Sequence, residues 1–225
     1  MDFDPAFVRD GLIIFILLVV SIVFHEWGHA IVADILGDDT PRADGRVSLN
    51  PLAHLDWVGT VIIPLINIFV FRGGFTFIGW GKPVITNPSN FRNRVRDDIL
   101  VSLAGPAANL LVALVSILAG CFIVVANPRF GELVYGLVVM NVGLAVFNMM
   151  PIPPLDGATL LRRIVGMSEE TYFNIARWSG IVMLVVINLS ATRHLIGFLV
   201  GEACVPYAVL CGWINPSAYP LIFPT

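Results

Sequence analysis

The chain has 225 residues, 57% of them hydrophobic and 13% charged, where soluble domains average about 45–50% apolar and about 25% charged. That balance excludes a disordered chain and most soluble folds, and a net charge of −3 offers no electrostatic reason for a nucleic-acid partner. Cys121, Cys204 and Cys211 are too few for a disulfide framework. The expected architecture is an all-α polytopic membrane protein in contact with lipid. It would be one membrane-embedded domain over residues 1–225, a bundle of about four to six transmembrane helices.

In chain order, the apolar run 11–24 reaches the roughly 20 residues of a span only by continuing through His25-Glu26-Trp27-Gly28-His29 into 30–37. A cleaved signal peptide opens on positive charge. Here Asp2, Asp4 and Asp10 oppose a single Arg9, so the run reads as a retained helix. Residues 34–56 are polar and rich in turn formers, with a short strand expected at 46–49. The apolar stretch 57–71 is short and carries Pro64 and Asn67, which suits a re-entrant or interface-lying segment. Within the cation-rich stretch 72–98, residues 73–84 read as a β-hairpin or an extended edge.

Clear spans follow at 99–126 and 133–149. The second runs into Pro151-Ile152-Pro153-Pro154-Leu155-Asp156-Gly157, which cannot stay regular helix. A further span is expected at 172–191, and whether 57–71 and 193–214 cross is left open. Trp57, Trp80, Trp178 and Trp213 read as interface anchors.

The chemistry concentrates in H-E-x-x-H at 25–29. On a helix, positions i and i+4 share a face, so both imidazoles can address one cation. Glu26 sits about 100° round the helix, close to the metal without being a ligand. Zn²⁺ suits two neutral imidazoles and one carboxylate. Ionisable groups inside a span cost roughly 2.5–3.5 kcal/mol each, which argues against idle core histidines. The third ligand has several candidates. Asp97 and Asp98 read as a solvated helix start, and Glu169 and Glu170 follow Ser168 as another. Asp156 ends an irregular stretch directly after a span, although an Asp-Gly turn would explain it equally well. Glu132 is the alternative carboxylate.

Topology favours Asp156. If 57–71 does not cross, the spans 99–126 and 133–149 return the chain to the side where 34–98 lies, and both halves of the site meet. Most cations then share one face, against Arg9 and Arg129 on the other, and the positive-inside rule makes the crowded face cytoplasmic. The site is expected in the cell membrane near its cytoplasmic side, with the N-terminus outside. Asn109, Asn141 and Asn188 read as polar groups packing between helices. His194 reads as interfacial, and the role of His54 stays open.

FHEWGHA at 24–30, GRVSLNPLAHLD at 45–56, SLAGPAANL at 102–110 and FNMMPIPPLDG at 147–157 occur in this order. With them the chain resembles the site-2 proteases, intramembrane zinc metalloproteases that cut membrane-anchored regulatory proteins. The resemblance implies one Zn²⁺ per chain on His25, His29 and Asp156, with Glu26 as general base and Asn148 binding substrate or stabilising the oxyanion. It implies a transmembrane protein substrate and a minimal form without PDZ or CBS domains. Because a helix hides its carbonyls, the substrate must be unwound, and pairing with an edge at 45–50 or 74–85 would present it. The same ligands would also serve a membrane zinc transporter.

Overall fold

The computed structural model describes residues 4–71 and 79–223. Asp4 caps the first helix by accepting the Ala6 N–H at 3.0 Å, and Pro5 occupies its first turn, where no N–H is needed. This helix, α1 (Pro5–Ile35), carries the H-E-x-x-H stretch near its C-terminal end. Two one-turn helices follow, α2 (Thr40–Ala43) and α3 (Pro51–His54). A π-helical turn at Trp57–Ile62 then leads into α4 (Ile63–Phe69). The long helix α5 (Arg94–Ala126) packs on α1 and on α6 (Gly131–Asn148), and these three form the centre of the bundle. After the proline-dense turn come α7 (Asp156–Ile164), α8 (Glu169–Asn188), α9 (Ser190–Ile214) and the short α10 (Tyr219–Ile222).

Among the described residues, four helices are long and apolar enough to cross a membrane: Pro5–Ile35, Arg94–Ala126, Pro128–Asn148 and Ser190–Ile214. Of the two stretches left open by the sequence, 193–214 therefore qualifies, whereas Trp57–Phe69 is a shorter apolar helix. The span expected at 172–191 is not among the four: α8 covers most of it, but Asn174, Arg177 and Ser179 keep its first half polar. The protein is an all-α polytopic membrane protein. Leu12, Ile13, Ile14 and Ile16 on α1, and Phe122, Ile123 and Val125 on α5, are exposed, as lipid-facing side chains are. Inside a membrane, helices gain their contact from close packing rather than from water exclusion. Ala113, Ile117, Cys121 and Val124 of α5 accordingly mesh with Val134, Val138 and Val142 of α6. A Cβ on Gly120 would come within 2.5 Å of Val134, so that glycine sets the approach of the two helices. Cys211 of α9 joins this cluster with its sulfur 3.1 Å from that of Cys121. The apolar cluster fills one end of the bundle and leaves the other to the polar site.

One local expectation fails. The strand expected at 46–49 is absent, because backbone groups a ladder would use are bonded within the loop. Gly45 turns the chain with φ +69°, Arg46 N–H bonds Pro41 O at 2.8 Å, and His54 Nε2 bonds Ser48 O at 2.6 Å. The hairpin expected at 73–84 lies partly outside the described residues. Its described part, 79–84, forms no regular secondary structure. Asp97 and Asp98 are not solvated either, being 0% and 8% exposed. Asp97 accepts the Asn93 N–H at 2.9 Å and Arg96 Nε at 3.0 Å. Asp98 accepts Arg163 Nε at 2.5 Å and so ties the start of α5 to α7.

Candidate metal centre

His25 and His29 are one helical turn apart on α1, with ring centroids 4.7 Å apart and ring planes at 85°. Both are buried against α5, and glycine at position 105 is what admits them. A Cβ there would stand 2.2 Å from His29 Nε2 and 2.7 Å from His25 Cε1. Gly28 plays the same part from α1, since its Cβ would lie 2.7 Å from Ala104 O.

Each ring is oriented from behind. His25 Nδ1 lies 2.7 Å from Asn109 Oδ1, and His29 Nδ1 lies 2.7 Å from Val101 O. Asn109 donates both amide hydrogens elsewhere, to Ser21 O at 3.0 Å and to Asn141 Oδ1 at 2.9 Å. Its oxygen must therefore accept, and His25 Nδ1–H donates. The Val101 carbonyl can only accept, so His29 Nδ1–H donates as well. Asn141 completes the chain by donating to Ser21 Oγ at 2.9 Å and to Leu137 O at 2.9 Å.

With both protons on Nδ1, each neutral ring turns a bare Nε2 lone pair inward. The two nitrogens are 3.1 Å apart, and the Asp156 carboxylate stands 3.3 Å from His25 Nε2 and 3.4 Å from His29 Nε2. Asp156 Oδ2 is buried without a hydrogen-bond partner. Lone pairs crowded in this way repel one another unless a cation lies between them. Tetrahedral zinc with bonds of about 2.0–2.1 Å spaces its ligand atoms about 3.3 Å apart, so the donor set fits the metal. Among the described residues, His25, His29 and Asp156 are the group able to hold a metal ion. Glu132 begins α6, at the opposite end from Asn148, and takes no part.

Asp156 reaches the histidines because α6 ends where it does. Met149 N–H still bonds Ala145 O at 3.1 Å, and the prolines then deny further helix. The chain turns back so tightly that a Cβ on Gly157 would stand 2.2 Å from Met149 O. The Asp-Gly pair is therefore a seat for α7 as well as a turn.

These groups line a cleft of about 420 Å³ with Glu26, Asp98, Asn148 and residues of the irregular segment 79–86. Gly81 lies against Glu26, and a Cβ there would approach Glu26 Oε1 to 2.8 Å. Asn148 Nδ2 donates one hydrogen to Leu144 O at 3.0 Å, which leaves its second free for a ligand. Trp80 is half-exposed, but it packs over Gly59 and lines the cleft, so it is more than an interface anchor. Asn109 and Asn141, read from sequence as packing residues, belong to the mounting of His25. The signal was present, since Asn109 falls within SLAGPAANL at 102–110.

His54 does not line the cleft. It is fully buried beneath the 46–54 loop. Burial first, and then the charge of Arg46, hold its imidazole below the ordinary value of 6.5, against the opposing pull of its bond to Ser48 and of Glu26. A depressed pKa means that the unfolded loop binds the proton more readily. The stability His54 contributes is thus complete above pH about 6.5 and falls as pH drops below it. Limited proteolysis between residues 44 and 56 should therefore accelerate from pH 7.5 to 5.5 in the wild type and lose that dependence in His54→Gln.

An H-E-x-x-H pair completed by a carboxylate, buried among membrane-spanning helices, defines a membrane-embedded metal centre of the hydrolytic type. The model of peptidase family M50 matches residues 13–131 and 123–187, and the chain belongs to that family, the site-2 proteases. YwhC of Bacillus subtilis, a zinc metalloprotease by name, is 33% identical over 184 residues, 76% of this chain and 78% of its own. Rip2 of Mycolicibacterium smegmatis, a zinc metalloprotease by name, is 31% identical over 182 residues, 79% of this chain and 68% of its own. Zinc metalloprotease MJ0392 of Methanocaldococcus jannaschii is 25% identical over 190 residues, 82% of this chain and 45% of its own. No solved structure matches the chain significantly. The protein is an intramembrane zinc metalloprotease, and membership of the family decides against the transporter alternative.

Proposed function

We propose that the chain is a single membrane-embedded domain that holds one Zn²⁺ on His25, His29 and Asp156 and cleaves transmembrane segments of membrane-anchored regulatory proteins. The observation that carries this reading is the convergence of two bare imidazole nitrogens and a buried carboxylate, 3.1–3.4 Å apart, beside Glu26. When bound, zinc acidifies water and polarises a carbonyl.

The protein's own groups do the rest. Glu26, buried at the cleft wall, takes the proton from the attacking water and returns it to the leaving amine. The free amide hydrogen of Asn148 is donated to the developing oxyanion. The substrate lies unwound along 79–86. Among the described residues, no backbone acceptor takes the N–H groups of Gly81 and Ile85, which alternate with the loop-bonded N–H groups of Trp80 and Lys82, so this side is open to an added strand. In the proposed topology the N-terminus of α1 is outside the cell membrane, and the centre opens near the cytoplasmic face, where most cations gather.

The test uses membranes containing the active full chain, treated with 1,10-phenanthroline and then re-supplied with Zn²⁺. Cleavage should stop and return at about one zinc per chain, with new termini inside apolar spans. Cleavage indifferent to the chelator, or new termini confined to loops outside the membrane, would refute the proposal.

A further inference from the structure

Among the described residues, Arg46 carries its charge into the protein with no carboxylate in ion-pair contact; Glu26 and Asp44 act on it only through space. It is 3% exposed. Its guanidinium donates instead to three backbone carbonyls, those of Ala53, Lys82 and Pro83, the last at 2.6 Å. Burying a charge out of ion-pair contact is unfavourable, so ordinary loop packing gives no reason for a cation here. Three converging carbonyls do. A guanidinium presents five N–H donors in a fixed plane, which an ammonium on a flexible stem cannot reproduce.

Other bonds pin the same edge of the segment. Lys82 N–H bonds His54 O at 2.8 Å, Trp80 N–H bonds Gly59 O at 3.2 Å, and Thr60 Oγ1 donates to Trp80 O at 2.7 Å. Arg46 itself is delivered by the Gly45 turn and held by its N–H bond to Pro41 O. One edge of 79–86 is thus taken up by the 46–60 loop while the other faces the cleft. Gly81 is set so near Glu26 that a movement of the segment would alter the gap in which a substrate backbone must fit.

We propose that Arg46 is a positioning residue, the brace that holds segment 79–86 at a fixed distance from Glu26 as the template for the unwound substrate. This rests on the protease reading above. It assigns to a buried cation outside the metal-ligating group a role in substrate binding rather than in the chemical step.

The test compares full-length wild type, Arg46→Gln and Arg46→Lys in proteoliposomes on a fluorogenic single-span peptide with a glycine-rich centre. KM should rise about tenfold or more in both variants, with kcat within about threefold and bound zinc unchanged. Hydrogen exchange at the Lys82 amide should quicken about tenfold or more, while amides of α1 and α5 keep their rates. Unchanged KM, or a fall in kcat alone, would overturn the proposal. So would recovery of wild-type KM and exchange in Arg46→Lys, because the charge acting on Glu26 would then suffice without the fork. Should Arg46→Gln fail to fold, Arg46→Lys carries the comparison. Should the wild type leave the peptide intact, the protease reading fails, and the Lys82 exchange still decides whether the brace exists.

Discussion

Glu26→Gln should lower the cleavage rate about 10²–10⁴-fold, the contribution typical of a positioned general base. The replacement keeps the side chain's size and a polar end, so the cleft beside Gly81 is not emptied. It removes only the capacity to accept a proton. His25, His29 and Asp156 meet without help from Glu26, so zinc measured by elemental analysis should stay at the wild-type level. The pairing of lost turnover with retained metal is the informative outcome. Turnover within about threefold of wild type would remove Glu26 from the role of base, and joint loss of zinc would make it part of the metal's support.

Gly105→Ala should abolish function by a different route. Alanine suits a helix interior better than glycine by about 0.5–1 kcal/mol, so α5 itself gains local stability. The added methyl, however, would sit 2.2 Å from His29 Nε2 and 2.6 Å from His29 Cε1. Neither ring can turn away freely, since each is held through Nδ1 by a 2.7 Å hydrogen bond. The ligand nitrogens must then separate, and a shift of about 1 Å at such a centre can cost roughly 10²-fold. Helix content by circular dichroism should be unchanged, while chelator competition should report zinc held at least about 10²-fold more weakly. Wild-type zinc affinity in this variant would mean that α1 and α5 do not approach as closely as the geometry states.

What could be read from sequence, and what could not, divides along sequence distance. His25, Glu26 and His29 were legible because a helix converts a four-residue spacing into a shared face. Asp156 was legible because three prolines mark where a helix must stop, and topology brings that stop back to the histidines. The orientation of His25 depends on Asn109, 84 residues away, and on Asn141, 116 away. An asparagine in an apolar run looks the same whether it orients a ligand or joins two helices. Gly105 carries no local sign that its missing Cβ is occupied by another helix's imidazoles. Asp98 reads as an ordinary helix start because the arginine that buries it lies 65 residues ahead. The strand expected at 46–49 fails on the same ground. Its residues suit a strand, but Arg46 N–H bonds Pro41 O and the His54 ring bonds Ser48 O, and such pairings are invisible to a propensity.

The amide chain behind His25 has a mechanical side. Asn141 and Asn148 stand two turns apart on one face of α6, one holding the mount of His25 and the other facing the cleft. The face of α6 that carries Asn148 into the cleft is therefore the same face that, through Asn141 and Asn109, fixes the setting of the His25 ring. One helix surface serves both the wall of the cleft and the mount of an imidazole, so the two share one tolerance.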